Sequence, residues 1–111
     1  MKSYTIAKAS GAPGWDAIDP LRADCVLWEP DCGVCMEQKL CYDDSALYVF
    51  QRAWESDIRA ECSAPLSPVH EDSCMEFFFS LTDDGRYVNF EINPNACMEL
   101  GFGPNRRERV R

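Results

Sequence analysis

Two short runs rich in aromatic and aliphatic residues lie close together in the second half of the chain. They are Cys74–Leu81 and Arg86–Asn93, and the polar segment Thr82–Gly85 separates them. An Asp-Gly pair between such runs is typical of a β-hairpin, because Gly adopts left-handed turn conformations at little cost and Asp tolerates them. The pattern therefore predicts an antiparallel hairpin.

Period two divides the side chains of this hairpin into two sets, since neighbouring residues of a strand point to opposite faces. One set is apolar and is predicted to be core: Met75, Phe77, Phe79, Leu81, Val88, Phe90 and Ile92. The other set mixes acids, amides and aromatics and is predicted to point outward: Cys74, Glu76, Phe78, Ser80, Tyr87, Asn89, Glu91 and Asn93. Such a mixture suits a polyhydroxylated ligand as well as it suits water.

The rest of the chain shows further short strand patterns and no convincing helical period. The predicted strands are Cys25–Glu29, Val34–Tyr42, Ala46–Trp54, an extension at Ile58–Cys62, and a last strand at Cys97–Leu100. The opening segment to Asp24 is predicted to be irregular, because Gly and Pro punctuate it. Strands separated by short turns indicate an all-β fold, either a sandwich or a barrel. With 111 residues the chain is expected to form one domain.

Composition and charge exclude several classes of partner. The net charge of −8 argues against nucleic acid, because phosphate contacts need a basic surface. No apolar run reaches the roughly 18–20 residues of a membrane helix. Four arginines stand in the last six positions, where a basic tail could touch phosphate or anionic lipid, or form a solvated end or a further strand.

The seven cysteines are an odd number, and no signal-peptide pattern precedes them, so we expect reduced thiols and a cytoplasmic location. Cys32-Gly-Val-Cys35 has the spacing of zinc and thiol-redox motifs. It lacks a second ligand pair for zinc and the strand–helix context of a redox motif, so incidental cysteines are the favoured interpretation. The acids Asp43-Asp44, Asp57 and Asp83-Asp84 could bind calcium, or serve as turn residues.

Three candidate groups lie in or beside the hairpin. His70, the one histidine of the chain, precedes it and is either a solvated polar group or a surface for a ligand. Glu76 and Glu91 have the same parity on adjacent strands, so they are predicted to share a face. Paired carboxylates serve glycoside hydrolysis, although Arg59 or Arg86 could equally neutralise them in a structural ion-pair network.

Four blocks of the chain, in order and spacing, resemble the carbohydrate-binding module family 9-like domains, which belong to the DOMON-like group of β-sandwiches. The blocks are Leu40–Phe50, Trp54–Ala60, Val69–Phe79 and Gly85–Asn93. The resemblance implies an all-β, antiparallel β-sandwich of DOMON-like or immunoglobulin-like architecture. It also implies non-catalytic carbohydrate binding, with a mono- or oligosaccharide as the partner, in a module associated with glycoside hydrolases and carbohydrate catabolism.

The resemblance also implies roles for individual residues. His70 takes the place of the aromatic residue that stacks on the sugar in relatives, and Glu76 is the first hydrogen-bond acceptor. Glu91 and Asn93 are further polar contacts, with Asn89 nearby. Relatives have a Gly where this chain has Ala96.

The family domain is longer than this chain, which therefore is expected to be its N-terminal half. Half a sandwich leaves open sheet edges, so either a homodimer completes the sheet or the chain is part of a longer protein. Two alternative functions remain open. One is a haem-binding electron-transfer module with His70 and either Met75 or Met98 as ligands, and the other is glycoside hydrolysis by Glu76 and Glu91.

Overall fold

The computed structural model describes residues 2–11, 13–26 and 33–111. Across those residues there are seven strands, two 3-10 helices and no α-helix, which confirms the predicted all-β class. The strands form two sheets, as a β-sandwich requires. The chain divides into two compact units, residues 1–56 and residues 57–111. No helix in the described ranges is long and apolar enough to cross a bilayer.

The sheet of the first unit is built around one long strand, β3 (Cys35–Tyr42). Antiparallel β4 (Leu47–Trp54) pairs with it along its whole length. Two short strands pair with it as well, β1 (Ala7–Lys8) in parallel and β2 (Leu21–Ala23) in antiparallel orientation. A 3-10 helix, Trp15–Ala17, lies between these two. The strands predicted at Val34–Tyr42 and Ala46–Trp54 are confirmed to within one residue.

The prediction of an irregular opening segment is wrong, because β1 and β2 both precede Asp24. These strands are two and three residues long, too short to show a period, and β3 supplies their hydrogen-bond partners. Of the strand predicted at Cys25–Glu29, Cys25 and Val26 belong to no element, and the remainder lies outside the described residues. Cys32 of the Cys-x-x-Cys motif also lies outside them.

The turn between β3 and β4 shows what its acidic residues do. Oδ1 of Asp43 accepts the backbone N–H groups of Ser45 and Ala46, and Oδ2 accepts the Tyr48 hydroxyl at 2.7 Å. The Tyr48 hydrogen bond, followed by the backbone bonds, lowers the pKa of Asp43. Asp44 forms an ion pair with Lys8. Both acids therefore stabilise the turn, as turn residues commonly do.

The second unit holds an antiparallel sheet in the order β5 (Met75–Phe79), β6 (Tyr87–Ile92) and β7 (Met98–Gly103). This confirms the predicted hairpin and extends the predicted last strand by three residues. Glu76 stands opposite Glu91, and Glu91 stands opposite Glu99. Gly85, with φ of 82°, supplies the left-handed residue of the hairpin connection.

The burial of this sheet follows the prediction along β5 and reverses it along β6. Of the residues predicted to point outward, Glu76, Phe78 and Ser80 are exposed, whereas Asn89, Glu91 and Asn93 are buried. Glu99 of β7, on the same polar face, is buried as well. The apolar face, on which Phe77, Phe79, Phe90, Leu100 and Phe102 lie, is only half-buried or exposed. Leu81, predicted to be core, lies beyond β5 and is 83% exposed. The physical reason is that other segments of the same unit cover the polar face.

One covering segment is the loop from Asp57 to Cys74, where the strand predicted at Ile58–Cys62 is absent. The backbone N–H groups of Glu61 and Cys62 donate to the Asp72 carboxylate, so they are not available to a sheet ladder. The Asn93 side-chain amide also donates to Asp72, at 2.9 Å. These bonds, with that of Asn93 first, lower the pKa of Asp72 to about 2.

The turn between β6 and β7 places Ala96 in an unusual backbone conformation. Oδ1 of Asn93 accepts the backbone N–H groups of Asn95 and Cys97. Ala96 has φ of 58°, in the left-handed region where Gly carries no steric cost. The backbone conformation at Ala96 therefore favours Gly.

Candidate functional site

A row of three glutamates crosses the polar face of the second sheet. Glu76 of β5, Glu91 of β6 and Glu99 of β7 occupy directly opposite positions of the two ladders. Side chains directly opposite each other have Cβ atoms about 5 Å apart, and like charges placed this way destabilise a sheet. Such a row therefore needs an explanation beyond the fold.

The C-terminal tail supplies part of the countercharge. Arg109 donates from Nη2 to Oε1 of Glu99 at 3.2 Å, and Nε of Arg111 lies 2.9 Å from the same oxygen. Between them, Val110 pairs with Phe102 of β7 through two backbone hydrogen bonds. The sequence left open whether the basic tail is a solvated end or a further strand. The bridge between Val110 and Phe102 makes the further strand the closer description.

Glycines on β7 give the tail room to approach. A Cβ at Gly103 would lie 2.6 Å from Cα of Arg109, a distance that real Cβ atoms do not show. At Gly101 it would lie 2.9 Å from Cδ of the same arginine. The tail therefore lies directly on the polar face, where larger residues in β7 would exclude it.

Three buried polar atoms on this face have no hydrogen-bond partner among the described residues. They are Nδ2 of Asn89, Oε2 of Glu91 and Nε of Arg109. Asn89 and Arg109 are joined by one bond, from Nη1 of the arginine to Oδ1 of the amide at 3.0 Å. Buried polar atoms are paired in most proteins, so three unpaired ones in one place mark this face as a candidate binding site.

Glu91 is the central member of the row. It is only 7% exposed. Burial, followed by the charges of Glu76 and Glu99, raises its pKa, and Arg109 and His70 act in the opposite direction. The side chain is therefore a carboxylate with incomplete compensation of its charge.

His70 lies at the edge of this row, on a 3-10 helix (Val69–Glu71). Val69 is fully buried and fixes this helix, while the neighbouring Asp72 bonds to Asn93 at the end of β6. One nitrogen of His70 and one carboxylate oxygen each of Glu91 and Glu99 lie within 4.8 Å of one another. The imidazole is thus held beside the acids.

Aromatic side chains lie on the same face of the sheet. Phe78 of β5 is 53% exposed, and its ring centroid lies 5.7 Å from that of Tyr87 in β6. Phe78 stands opposite Asn89 in the ladder. The face therefore combines an aromatic pair, of which Phe78 is exposed and Tyr87 half-buried, with carboxylates and an amide.

The structure brings four of the five predicted binding residues to one place: His70, Glu76, Asn89 and Glu91. The fifth, Asn93, uses its amide to bond Cys62 and Asp72, and its oxygen to bond the following turn. Sequence reasoning missed Glu99 and Arg109. The alternation of β7, with Glu99 between Met98 and Leu100, carried a signal for the first. No pattern in the sequence indicated that the C-terminal tail returns to the polar face.

The two arginines considered as possible partners of the glutamate pair form ion pairs with other acids. Arg59 pairs with Glu61 and Asp72, whereas Arg86 pairs with Asp84 in the hairpin connection. In each case an acid close in sequence or in the same loop competes successfully for the guanidinium.

The haem ligands considered above do not come together. Met75 and Met98 both stand opposite Ile92 in the ladders, so their side chains lie on the apolar face. His70 lies beside Glu91 and Glu99 on the polar face.

Comparison with known proteins gives one match. The model of carbohydrate-binding family 9 matches residues 15–111, which is most of the chain. No curated protein and no solved structure matches. The match supports non-catalytic carbohydrate binding in general and gives no support to the haem or hydrolase alternatives.

Proposed function

Since the chain belongs to carbohydrate-binding family 9, we propose that it binds a mono- or oligosaccharide on the polar face of β5–β7. The single observation that carries this location is the set of three unpartnered buried atoms, on Asn89, Glu91 and Arg109. Two of these atoms donate hydrogen bonds and one accepts. A sugar hydroxyl both donates and accepts, so it is the kind of group that satisfies such a set.

The exposed part of the face provides the first contacts. The C–H face of a pyranose packs against an aromatic ring, and His70 or the Phe78–Tyr87 pair offers such a surface. Glu76 is exposed beside them and accepts hydroxyl hydrogen bonds. Arg109 is bonded to Asn89, so a sugar reaches Asn89 and Glu91 only when the Arg109 segment moves aside.

Asn93 serves the site indirectly in this proposal. Its amide group fixes Asp72 and the carbonyl of Cys62, and this holds the loop that carries His70. It thereby positions the histidine next to the sheet.

The expected affinity is modest. Each net hydrogen bond contributes roughly 0.5–1.5 kcal/mol, and somewhat more when one partner is charged. Three or four such bonds, less the cost of ordering the ligand, correspond to a Kd between about a millimolar and tens of micromolar.

Isothermal titration calorimetry against a panel of mono- and oligosaccharides, in buffer containing EDTA, tests the proposal. We expect at least one sugar to bind in that affinity range. Glu76→Gln removes a charged acceptor, and it should weaken binding about tenfold. Asp16→Asn, an exposed acid of the first unit, is the charge-matched control and should bind normally. No heat with any sugar at millimolar concentration, or equal binding by Glu76→Gln, would contradict the proposal.

A further inference from the structure

We propose that His70, Glu91 and Glu99 form a binding site for one divalent transition-metal ion. The three side chains place one ligand atom each within 4.8 Å of one another. Metal–ligand distances of about 2.0–2.2 Å bring ligand atoms somewhat closer than that. Metal binding therefore requires the ligand side chains to move closer together, and the imidazole of His70 is exposed and has room to rotate.

A second observation favours a cation at this place. Among the described residues Oε2 of Glu91 has no hydrogen-bond partner, and Glu91 is more than nine-tenths buried. An unpaired buried charge is costly. A metal ion is a partner that would compensate it.

The charges of the polar face lead to the same conclusion. Glu91 and Glu99 stand directly opposite each other, whereas both arginines of the tail approach a single oxygen, Oε1 of Glu99. Arg111 is half-exposed, so water screens its charge. The negative charge at Glu91 thus exceeds what the described residues neutralise directly.

The ligand types select the class of metal. One imidazole and two carboxylates suit a first-row transition ion such as zinc or manganese. Calcium and magnesium take oxygen ligands almost exclusively, so the imidazole disfavours them. Three protein ligands leave at least one coordination position for water or for another ligand.

The way in which the three ligand side chains are held in place also fits a metal site. His70 lies on a helix that the buried Val69 and the Asp72–Asn93 hydrogen bond hold in place. Glu91 and Glu99 project from directly opposite positions of two paired strands. Ligands on rigid elements with hydrogen-bonded support are what a metal site needs.

The test uses Mn²⁺ with the full chain, in buffer without chelator or sugar. Manganese prefers oxygen and imidazole ligands over thiolates, so the cysteines do not interfere. Loss of the electron paramagnetic resonance signal of free Mn²⁺ measures binding, and paramagnetic broadening of amide resonances locates the ion. We expect one ion per chain and broadening centred on the amides of His70, Glu91 and Glu99.

Two variants and one control separate this site from other acids. Glu91→Gln keeps the shape of the side chain and removes a buried charge, so the chain still folds, and His70→Gln changes an exposed residue. Each should weaken binding at least tenfold. Glu71→Gln alters an exposed acid next to His70 and should leave affinity unchanged.

No binding at millimolar Mn²⁺, equal affinity in all variants, or broadening at the turn acids Asp43–Asp44 or Asp83–Asp84 would overturn the site. The sugar titration contains EDTA and the manganese titration contains no sugar, so the failure of one proposal is distinguishable from the failure of the other.

Discussion

The two faces of the β5–β7 sheet differ in chemistry and in burial, and along β6 and β7 the polar face is the more buried one. The apolar face carries Phe77, Phe79, Phe90, Leu100 and Phe102, none of which is fully buried. The polar face carries Asn89, Glu91 and Glu99, all of which are buried. A surface that follows hydrophobicity alone would show the reverse.

The difference shows that the second unit uses its own loop and tail to close a polar surface. Buried charges are stable only when they are paired and hydrogen-bonded. On this face the pairing is good at Glu99 and incomplete at Glu91. An incompletely paired group at the centre of a closed network is where a ligand gains most by binding.

The largest effect on the free energy of unfolding is expected for variants at two neighbouring positions of β7, whose side chains point to opposite faces of the sheet. Glu99→Ala leaves Arg109 without its carboxylate in a buried position, and breaking such a pair costs about 3–5 kcal/mol in the free energy of unfolding. Leu100→Ala removes a side chain that is 38% exposed, and should cost about 1–2 kcal/mol. Urea denaturation monitored by circular dichroism measures both.

The contrast between the two faces is contradicted if Leu100→Ala lowers the free energy of unfolding more than Glu99→Ala does. A larger loss for Leu100→Ala would mean that the apolar face carries the stability of this unit and that the tail contributes little.

A smaller effect is expected for the reactivity of Cys74, which has the same parity as Glu76. Burial, followed by the charges of Glu76 and Glu91, raises the pKa of its thiol to about 11. The thiolate is the reactive form, so alkylation by iodoacetamide at pH 8 should be about tenfold slower at Cys74 than at the exposed Cys25.

Peptide mass spectrometry after timed quenching gives both rates from one sample. Glu76→Gln removes one of the two charges and should accelerate the reaction of Cys74 alone. Equal rates at the two cysteines in the unmodified chain would show that the polar face does not impose the electrostatic environment described above.

The smallest effect on the free energy of unfolding is expected at Ala96, which lies in the turn between β6 and β7 and belongs to neither face. Ala96→Gly removes the steric cost of a left-handed residue, offset by the greater freedom of Gly in the unfolded chain. We expect an increase of about 0.5–1 kcal/mol in the free energy of unfolding, with no change in metal or sugar binding. A destabilised Ala96→Gly variant would show that the turn conformation at φ of 58° is not the native one.

The sequence predicted the parts of the fold that depend on local pattern. The hairpin, its register and the pairing of Glu76 with Glu91 follow from period two and an Asp-Gly turn. The burial of the polar face could not be predicted from local pattern, because it depends on segments that are distant along the chain. Asp72 takes the backbone N–H groups of Glu61 and Cys62, and Arg109 folds back over Gly101 and Gly103.

The same reason limits what the sequence could say about the site. His70, Glu76, Asn89 and Glu91 were predicted from the hairpin and the family resemblance, and they lie in or next to β5 and β6. Glu99 and Arg109 join them only through the β6–β7 register and the return of the tail. Asn93 was predicted as a sugar contact, yet its bonds to Cys62 and Asp72 are tertiary contacts that no local pattern reveals.

The most direct test of the central claim, that the polar face of β5–β7 binds sugar, is a two-dimensional amide NMR titration of the isotope-labelled chain. A sugar selected by calorimetry is added in EDTA buffer. The account predicts shift changes concentrated at residues 70–78, 87–93 and 99–109, with saturation at the calorimetric Kd. Changes confined to residues 2–56, or to the amides of the apolar-face residues alone, would contradict it.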